Sequence, residues 1–370
     1  MEITLCMIVK NEEENIEKCI TGAFHIVDNA VIVDTGSTDS TKDIIKKFGQ
    51  KVKLIEHEWK DDFSEARNVS IENANGDWIL VLDADEEILG YKEAILKQII
   101  NTKKESFNIK GINKIDEEGG LNSFFYNRFF KNKGYKYYRA IHEQLNIDEN
   151  KVGVLDEKIF KIIHYGYSKE NFIKRDKMNR NLRILANEYN KNPEDPFICY
   201  HLGATYASSG DYKNALSYFV KSYQIGLTKG FGGYYYELLK RMSQCIYLLK
   251  DYRLCIDFLT GILKDENLKG FTDLYYILGS CLYEIKDYEN AKKMFNECIK
   301  FGEKTKFPTF TGRGTFLAEL MLARIYLALS NRQEAQKYYL KLLNYKEKLS
   351  EDIIEEINCY TKKTIKIGGL

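Results

Sequence analysis

Along the first half of the chain, short apolar runs alternate with stretches of helical periodicity. Residues 3–9 form a β-rich run that ends in the polar turn Lys10-Asn11-Glu12-Glu13. Residues 15–24 then place Ile16, Cys19, Ile20 and Ala23 on one helical face. Ala30-Val31-Ile32-Val33 is continuously apolar, as expected of a strand covered on both sides. It stops at Asp34-Thr35-Gly36-Ser37-Thr38-Asp39, where Gly36 supplies backbone freedom and Ser37 or Thr38 is placed to cap the next helix. A helix over 41–48, a strand over 51–56, a helix over 64–74 and a strand over 78–82 continue the alternation. Repetition at this pitch predicts an open, mainly parallel sheet. Ligands of such sheets bind beyond the carboxyl ends of the strands, where the loops after Val9, Val33 and Leu82 lie. Residues 106–167 read as further strands that complete the sheet and cover the site, with an aromatic cluster at 124–130.

From about residue 171 strand patterns vanish and paired amphipathic helices repeat. Cys199, Leu202, Gly203, Tyr206, Tyr212, Ala215 and Phe219 fit the tetratricopeptide template. Tyr275, Leu278, Gly279, Leu282, Tyr288, Ala291 and Phe295 repeat the same internal spacings. Weaker units fall at Leu239, Met242, Tyr252, Cys255 and Leu259, and at Leu322, Ala323, Tyr326, Ala335 and Tyr339. The small residue of each second helix steps by 40, 36 and 44 (215→255→291→335). Against a template of roughly 34 these are degenerate repeats with lengthened turns. The predicted architecture is thus an α/β domain over 1–168, a linking helix over 169–192 and an all-α tetratricopeptide-like domain over 193–370.

Composition narrows the class. A length of 370 residues suits two domains, and 44% hydrophobic content suits packed cores. A net charge of +1 removes the main reason to expect a nucleic-acid partner. The eight cysteines are scattered without a C-x-x-C pair, which fits a reducing cytoplasm and no cysteine-bound metal. The N-terminus lacks the pattern of a signal peptide, and no apolar run approaches the ~18 residues of a transmembrane segment. The surplus of 27 Tyr and 20 Phe suits aromatic packing between helices.

The sharpest chemical feature is Asp83-Ala84-Asp85, directly after the strand Trp78-Ile79-Leu80-Val81-Leu82. Extended geometry would turn both carboxylates to one side, as hard ligands for Mg²⁺ or Mn²⁺ holding a diphosphate. The competing reading is an acidic turn, with Glu86 and Glu87, at the start of a helix over 91–100.

Four blocks in order resemble the family 2 glycosyltransferases of GT-A fold. They are Cys6-Met7-Ile8-Val9-Lys10-Asn11-Glu12-Glu13, Val33 through Asp39, Phe63-Ser64-Glu65-Ala66-Arg67-Asn68, and Gly76 through Glu86. With the repeats, the chain resembles a bacterial subgroup that includes peptide S- or O-glycosyltransferases of the sublancin-modifying type. The resemblance implies a GT-A domain, Rossmann-like with a mainly parallel sheet, fused to helical repeats. It implies that Glu12 and Asp34 accept hydrogen bonds from the ribose and base of a nucleotide sugar, with Asp39 either joining them or capping the next helix. Arg67 would pair with diphosphate oxygens or, alternatively, with Glu65 or Asp62 at the surface. Asp83 and Asp85 would hold metal and diphosphate, with Asp85 the direct ligand and His164 an additional one. Many relatives place an acidic base downstream, where this chain has Ala140-Ile141-His142-Glu143-Gln144-Leu145. Glu143 is then the candidate base, with His142 as alternative, and a structural carboxylate on a strand is the competing reading.

The implied activity is inverting, Mn²⁺- or Mg²⁺-dependent transfer from a UDP-hexose or UDP-N-acetylhexosamine to a peptide or protein Ser, Thr or Cys side chain. The repeats would recruit that acceptor or mediate homodimerisation. Two other readings remain: a surface-glycan or lipid-linked acceptor, and a non-catalytic scaffold that senses a nucleotide sugar. Tyr165 and Tyr167 line the acceptor mouth or pack between domains. Lys174, Arg175, Lys177, Arg180 and Arg183 either contact diphosphate or form a solvated basic face.

Overall fold

The structure, a computed structural model, describes residues 1–113, 122–164, 171–303, 306–307 and 309–361. It comprises two compact units, Met1–Ile184 and Leu185–Leu370. Tyr165 and Tyr167, and the side chains of Lys174 and Arg175, fall outside the described residues.

In the first unit the strands are β1 (Ile3–Val9), β2 (Asn29–Asp34), β3 (Val52–Glu56), β4 (Trp78–Val81), β5 (Glu86–Gly90), β6 (Ser106–Asn113), β7 (Asn122–Lys131), β8 (Tyr137–Tyr138), β9 (Gln144–Leu145), β10 (Val152–Val154) and β11 (Phe160–His164). The helices are α1 (Ile16–Ala23), α2 (Thr41–Lys46), α3 (Phe63–Glu72), α4 (Lys92–Ile99) and α5 (Asn171–Lys191), the last running on into the second unit. The main sheet has the order β3-β2-β1-β4-β7-β6-β11-β5, with β10 also paired to β6. The first four strands are parallel, and β7 runs antiparallel to both of its neighbours. Beyond it β11 is parallel to β6, and β5 antiparallel to β11. Register sets Val9 beside Asp34 and Asp34 beside Glu56, so the carboxyl ends of adjacent strands share one edge. Most of β1, β2 and β4 is buried, as their unbroken apolar runs require. Trp78 stacks on Phe129 across the β4–β7 pairing, with centroids 4.8 Å apart. Gly76 lets the chain turn into β4, since a Cβ there would meet Thr4 Oγ1 at 2.7 Å.

Asp83-Ala84-Asp85 does not open a helix. It leads into β5, and α4 begins only at Lys92, so the helix-capping reading of the acids is replaced.

The second unit contains α6 (Pro196–Ser208), α7 (Tyr212–Lys229), α8 (Tyr235–Leu248), α9 (Tyr252–Ile262), α10 (Thr272–Glu284), α11 (Tyr288–Phe301), α12 (Phe316–Ala328), α13 (Arg332–Leu342) and α14 (Glu351–Thr361). One turn recurs between α6 and α7, α8 and α9, α10 and α11, and α12 and α13. Gly210, Lys250, Lys286 and Ser330 take positive φ, and Asp211, Asp251, Asp287 and Asn331 then cap the following helix. Each cap accepts the backbone N–H three residues on. The small residues Ala215, Cys255, Ala291 and Ala335 are buried. At Gly203 and Gly279 a Cβ would press on Phe219 at 2.6 Å and Phe295 at 3.0 Å. Small residues thus let the paired helices close, and aromatic rings fill the rest. Among the described residues, no helix is long and apolar enough to cross a membrane.

Candidate active site

The carboxyl ends of the parallel strands border a cleft of about 1560 Å³, lined entirely by residues of the first unit. Two polar loops form its floor, and the side chains in their motifs tie the loops together. Asn11, at φ 56°, donates its N–H to Ser37 Oγ (2.9 Å) and accepts from the Thr38 N–H (2.8 Å). Asp39 accepts from the Thr41 hydroxyl and N–H at 2.6 and 3.0 Å and from the Glu13 N–H at 3.2 Å. Burial opposes ionisation of Asp39, yet these hydrogen bonds hold its carboxyl below the ordinary value. The structure therefore uses Asp39 to start α2 and join two loops, and Ser37 serves Asn11 rather than capping α2.

Asp34 is buried. Its Oδ1 accepts the N–H groups of Gly36 and Ser37 (3.0 and 2.9 Å), while Oδ2 is buried without a partner among the described residues. Asp34 is not among the residues that line the cleft, whereas its neighbour Thr35 is. Glu12 lies on the cleft wall and accepts from Asn15 Nδ2 at 3.0 Å. Burial raises its pKa against the Asn15 hydrogen bond, and the nearby Asp85 charge adds to the rise.

The Asp-x-Asp pair divides. Asp83 is enclosed by two guanidiniums: Arg67 Nη2 reaches Oδ1 at 3.3 Å and Arg128 Nη2 reaches Oδ2 at 2.8 Å. Although burial opposes it, Arg128 and then Arg67 hold Asp83 well below the usual carboxylate range. Asp85 faces His164 instead, with Oδ2 3.0 Å from Nε2. That hydrogen bond, against partial burial, raises the His164 pKa. One carboxylate oxygen and one imidazole nitrogen suit Mn²⁺ or Mg²⁺, and no third His, Cys, Asp or Glu completes a cluster among the described residues. Asp85 and His164 thus offer two donors to a divalent ion. Asp83 differs in that each of its oxygens already accepts an arginine donor.

Arg67 lines the cleft and is not the surface partner of Glu65 or Asp62 that was the alternative expectation. It is only 4% exposed and bonds Glu143 Oε1 through Nε (2.9 Å) and Nη2 (2.7 Å), in addition to Asp83. Glu65 pairs with Lys60 and His57, and Asp62 caps α3. The next residue of the motif, Asn68, exchanges two 2.8 Å hydrogen bonds with the Tyr137 backbone. The Phe63 N–H donates to Ala140 O at 2.8 Å. One short helix therefore fixes the segment that carries His142 and Glu143. That segment is not extended: Arg139 and His142 take φ of 78° and 54°, so it is a turn and not a strand carboxylate. Both His142 and Glu143 line the cleft.

Arg128 and Glu86 were missed from sequence. Phe107 pairs with Phe129 and Asn108 with Asn127, so Arg128 is the extra residue of a β-bulge. A bulge re-aims a side chain, and here it sends Arg128 to Asp83 and, through Nη1, to Glu86 Oε2 at 2.5 Å. Burial pushes the Glu86 carboxyl up to about 7 against the pull of Arg128. The available signal was an arginine inside a run of aromatic residues, where a cation needs a buried acid.

The glycosyl transferase family 2 profile matches residues 4–156, and a tetratricopeptide repeat profile matches residues 198–225, 272–301 and 320–349. A TPR repeat-containing protein of Synechococcus elongatus is 31% identical over 224 residues, covering 58% of this chain and 54% of that protein. The SPbeta prophage-derived glycosyltransferase SunS of Bacillus subtilis is 30% identical over 224 residues, covering 60% and 53%. Glycosyltransferase GlyA of Streptococcus pneumoniae is 28% identical over 170 residues, covering 44% and 23%. The chain spans about half the length of the first two relatives.

Proposed function

We propose that this chain, a family 2 glycosyltransferase domain joined to tetratricopeptide repeats, transfers a sugar from a nucleotide donor to a side chain of a peptide or protein. The observation that carries the proposal is the Asp85–His164 pair, set in one cleft with the Arg67-anchored Glu143. The SunS likeness, which runs along 60% of the chain, supports glycosyl transfer.

In this reading the donor is a UDP-hexose or UDP-N-acetylhexosamine. The unpartnered Asp34 Oδ2 accepts from its base, and Glu12 from its ribose. Asp85 and His164 would hold Mn²⁺ or Mg²⁺, which would offset charge on the departing diphosphate. Glu143, oriented by Arg67, accepts the proton of a Ser or Thr hydroxyl or Cys thiol, with His142 as the alternative on the same turn. The acceptor oxygen or sulfur then bonds to the anomeric carbon as the bond to diphosphate breaks, which inverts that carbon. Asp83 is a bridge between two arginines and positions the loop that carries Asp85. The repeats present the acceptor peptide, self-association being the competing use of their surface. All eight cysteines are free and seven are buried, in keeping with a reducing cytoplasm.

The test is release of nucleoside diphosphate from a panel of nucleotide sugars, with Mn²⁺ and then with chelator. Turnover of one donor, lost on chelation, is expected. No turnover of any donor under either condition would favour a nucleotide-sugar sensor.

A further inference from the structure

Four arginines line the cleft, and three of them meet carboxylates. Arg67 is paired with Glu143 and Asp83, Arg128 with Asp83 and Glu86, and Arg183 with Asp61. Arg180 meets none among the described residues. Its Nε and Nη2 reach only the Asn181 side-chain oxygen, at 3.3 and 3.2 Å. The guanidinium lies over the Phe63 ring, 4.9 Å from its centroid, and Phe63 packs edge-on against Trp59 at 4.7 Å.

The arginine is held in place from the next turn of α5. Arg183 forms a two-pronged bond to Asp61, Nε to Oδ2 at 3.0 Å and Nη2 to Oδ1 at 2.8 Å. Asp61 also accepts from Trp59 Nε1 at 2.9 Å, so the ring platform and the helix share one anchor. Lys177, one turn earlier and exposed, lines the same cleft and interacts electrostatically with Glu12. A solvated basic face does not describe Arg180. It is half-buried, and burial followed by the like charge of Arg183 lowers its pKa. Asp61 attracts it electrostatically but gives both oxygens to Arg183, so the fork of Arg180 bonds no carboxylate among the described residues, and a guanidinium fork matches phosphate oxygens.

We infer that Arg180, assisted by Lys177, clamps the diphosphate of a nucleotide bound in the cleft. The inference rests on the proposal that the cleft takes a nucleotide donor. It adds a binding element from α5, which begins at residue 171, beyond the 4–156 segment that the family profile covers.

The experiment titrates the full chain with UDP, GDP, the matching nucleosides and inorganic pyrophosphate at fixed ionic strength, for wild type, Arg180→Gln and Arg180→Lys. Arg180→Gln is expected to weaken the better nucleoside diphosphate by about tenfold or more, the scale of one charge-assisted hydrogen bond. Nucleoside affinity should not change, which a collapsed cleft would not reproduce. Arg180→Lys, which keeps the charge without the fork, should fall between the two. Equal diphosphate affinity in wild type and both variants would overturn the clamp and leave the proposed function standing. Binding of neither nucleoside diphosphate nor pyrophosphate by wild type would overturn both.

Discussion

In the sheet unit, an ionic chain Glu143–Arg67–Asp83–Arg128–Glu86 places its first four members on the cleft lining, and Arg67 and Glu86 are only 4% and 3% exposed. In the repeat unit the largest fully buried side chains are rings: Phe219, Phe271, Phe295 and Tyr339. A buried ion chain is a poor way to gain stability, since desolvation offsets its attraction. Apolar packing repeated from turn to turn gains stability directly and nearly additively. The sheet unit has an apolar core as well, with Phe129, Phe130 and Phe160 fully buried, and adds to it charged groups that hold a geometry. The repeats do bury a charge, Asp273, but it is satisfied within the unit by the Phe310 N–H and by Arg313.

The comparison predicts opposite responses to truncation. Arg67→Ala leaves Glu143 and Asp83 without their shared cation, and should destabilise the sheet unit by about 3–5 kcal/mol. Donor turnover should be lost with it. Denaturation followed by two probes, one for each unit, would show the early transition in the sheet unit only. Phe295→Ala removes a fully buried ring and should cost the repeat unit about 3–4 kcal/mol. Donor hydrolysis should persist while transfer to a peptide falls. Equal loss of both activities would show that the units do not divide the work. Asp287→Ala, which removes one helix cap, should cost about 1 kcal/mol. That change would be visible as a small shift in the repeat transition alone.

How much of this was legible depends on the range of the interactions. The strand-end loops were legible because Asp34 and Gly36 act within a few residues of themselves. The repeats were legible because Tyr212, Tyr252 and Tyr288 each follow the same capped turn. Arg128 was not, because its aim depends on a one-residue bulge set by pairing with β6. The fate of Asp83 was hidden for the same reason. Its partners lie 16 and 45 residues away, and a periodicity argument gave both acids of the motif one role. The competing reading of Glu143 as a strand carboxylate fails because a positive φ at His142 puts both residues on a turn.

The central claim is that Asp85, rather than Asp83 with its two arginine partners, holds the metal. Its most direct test is Asp85→Asn, measured with whichever nucleotide sugar the wild type turns over. The account predicts a fall in turnover of about 10²–10³-fold, loss of Mn²⁺ binding and an unchanged unfolding midpoint. Unchanged turnover with metal binding lost would contradict it.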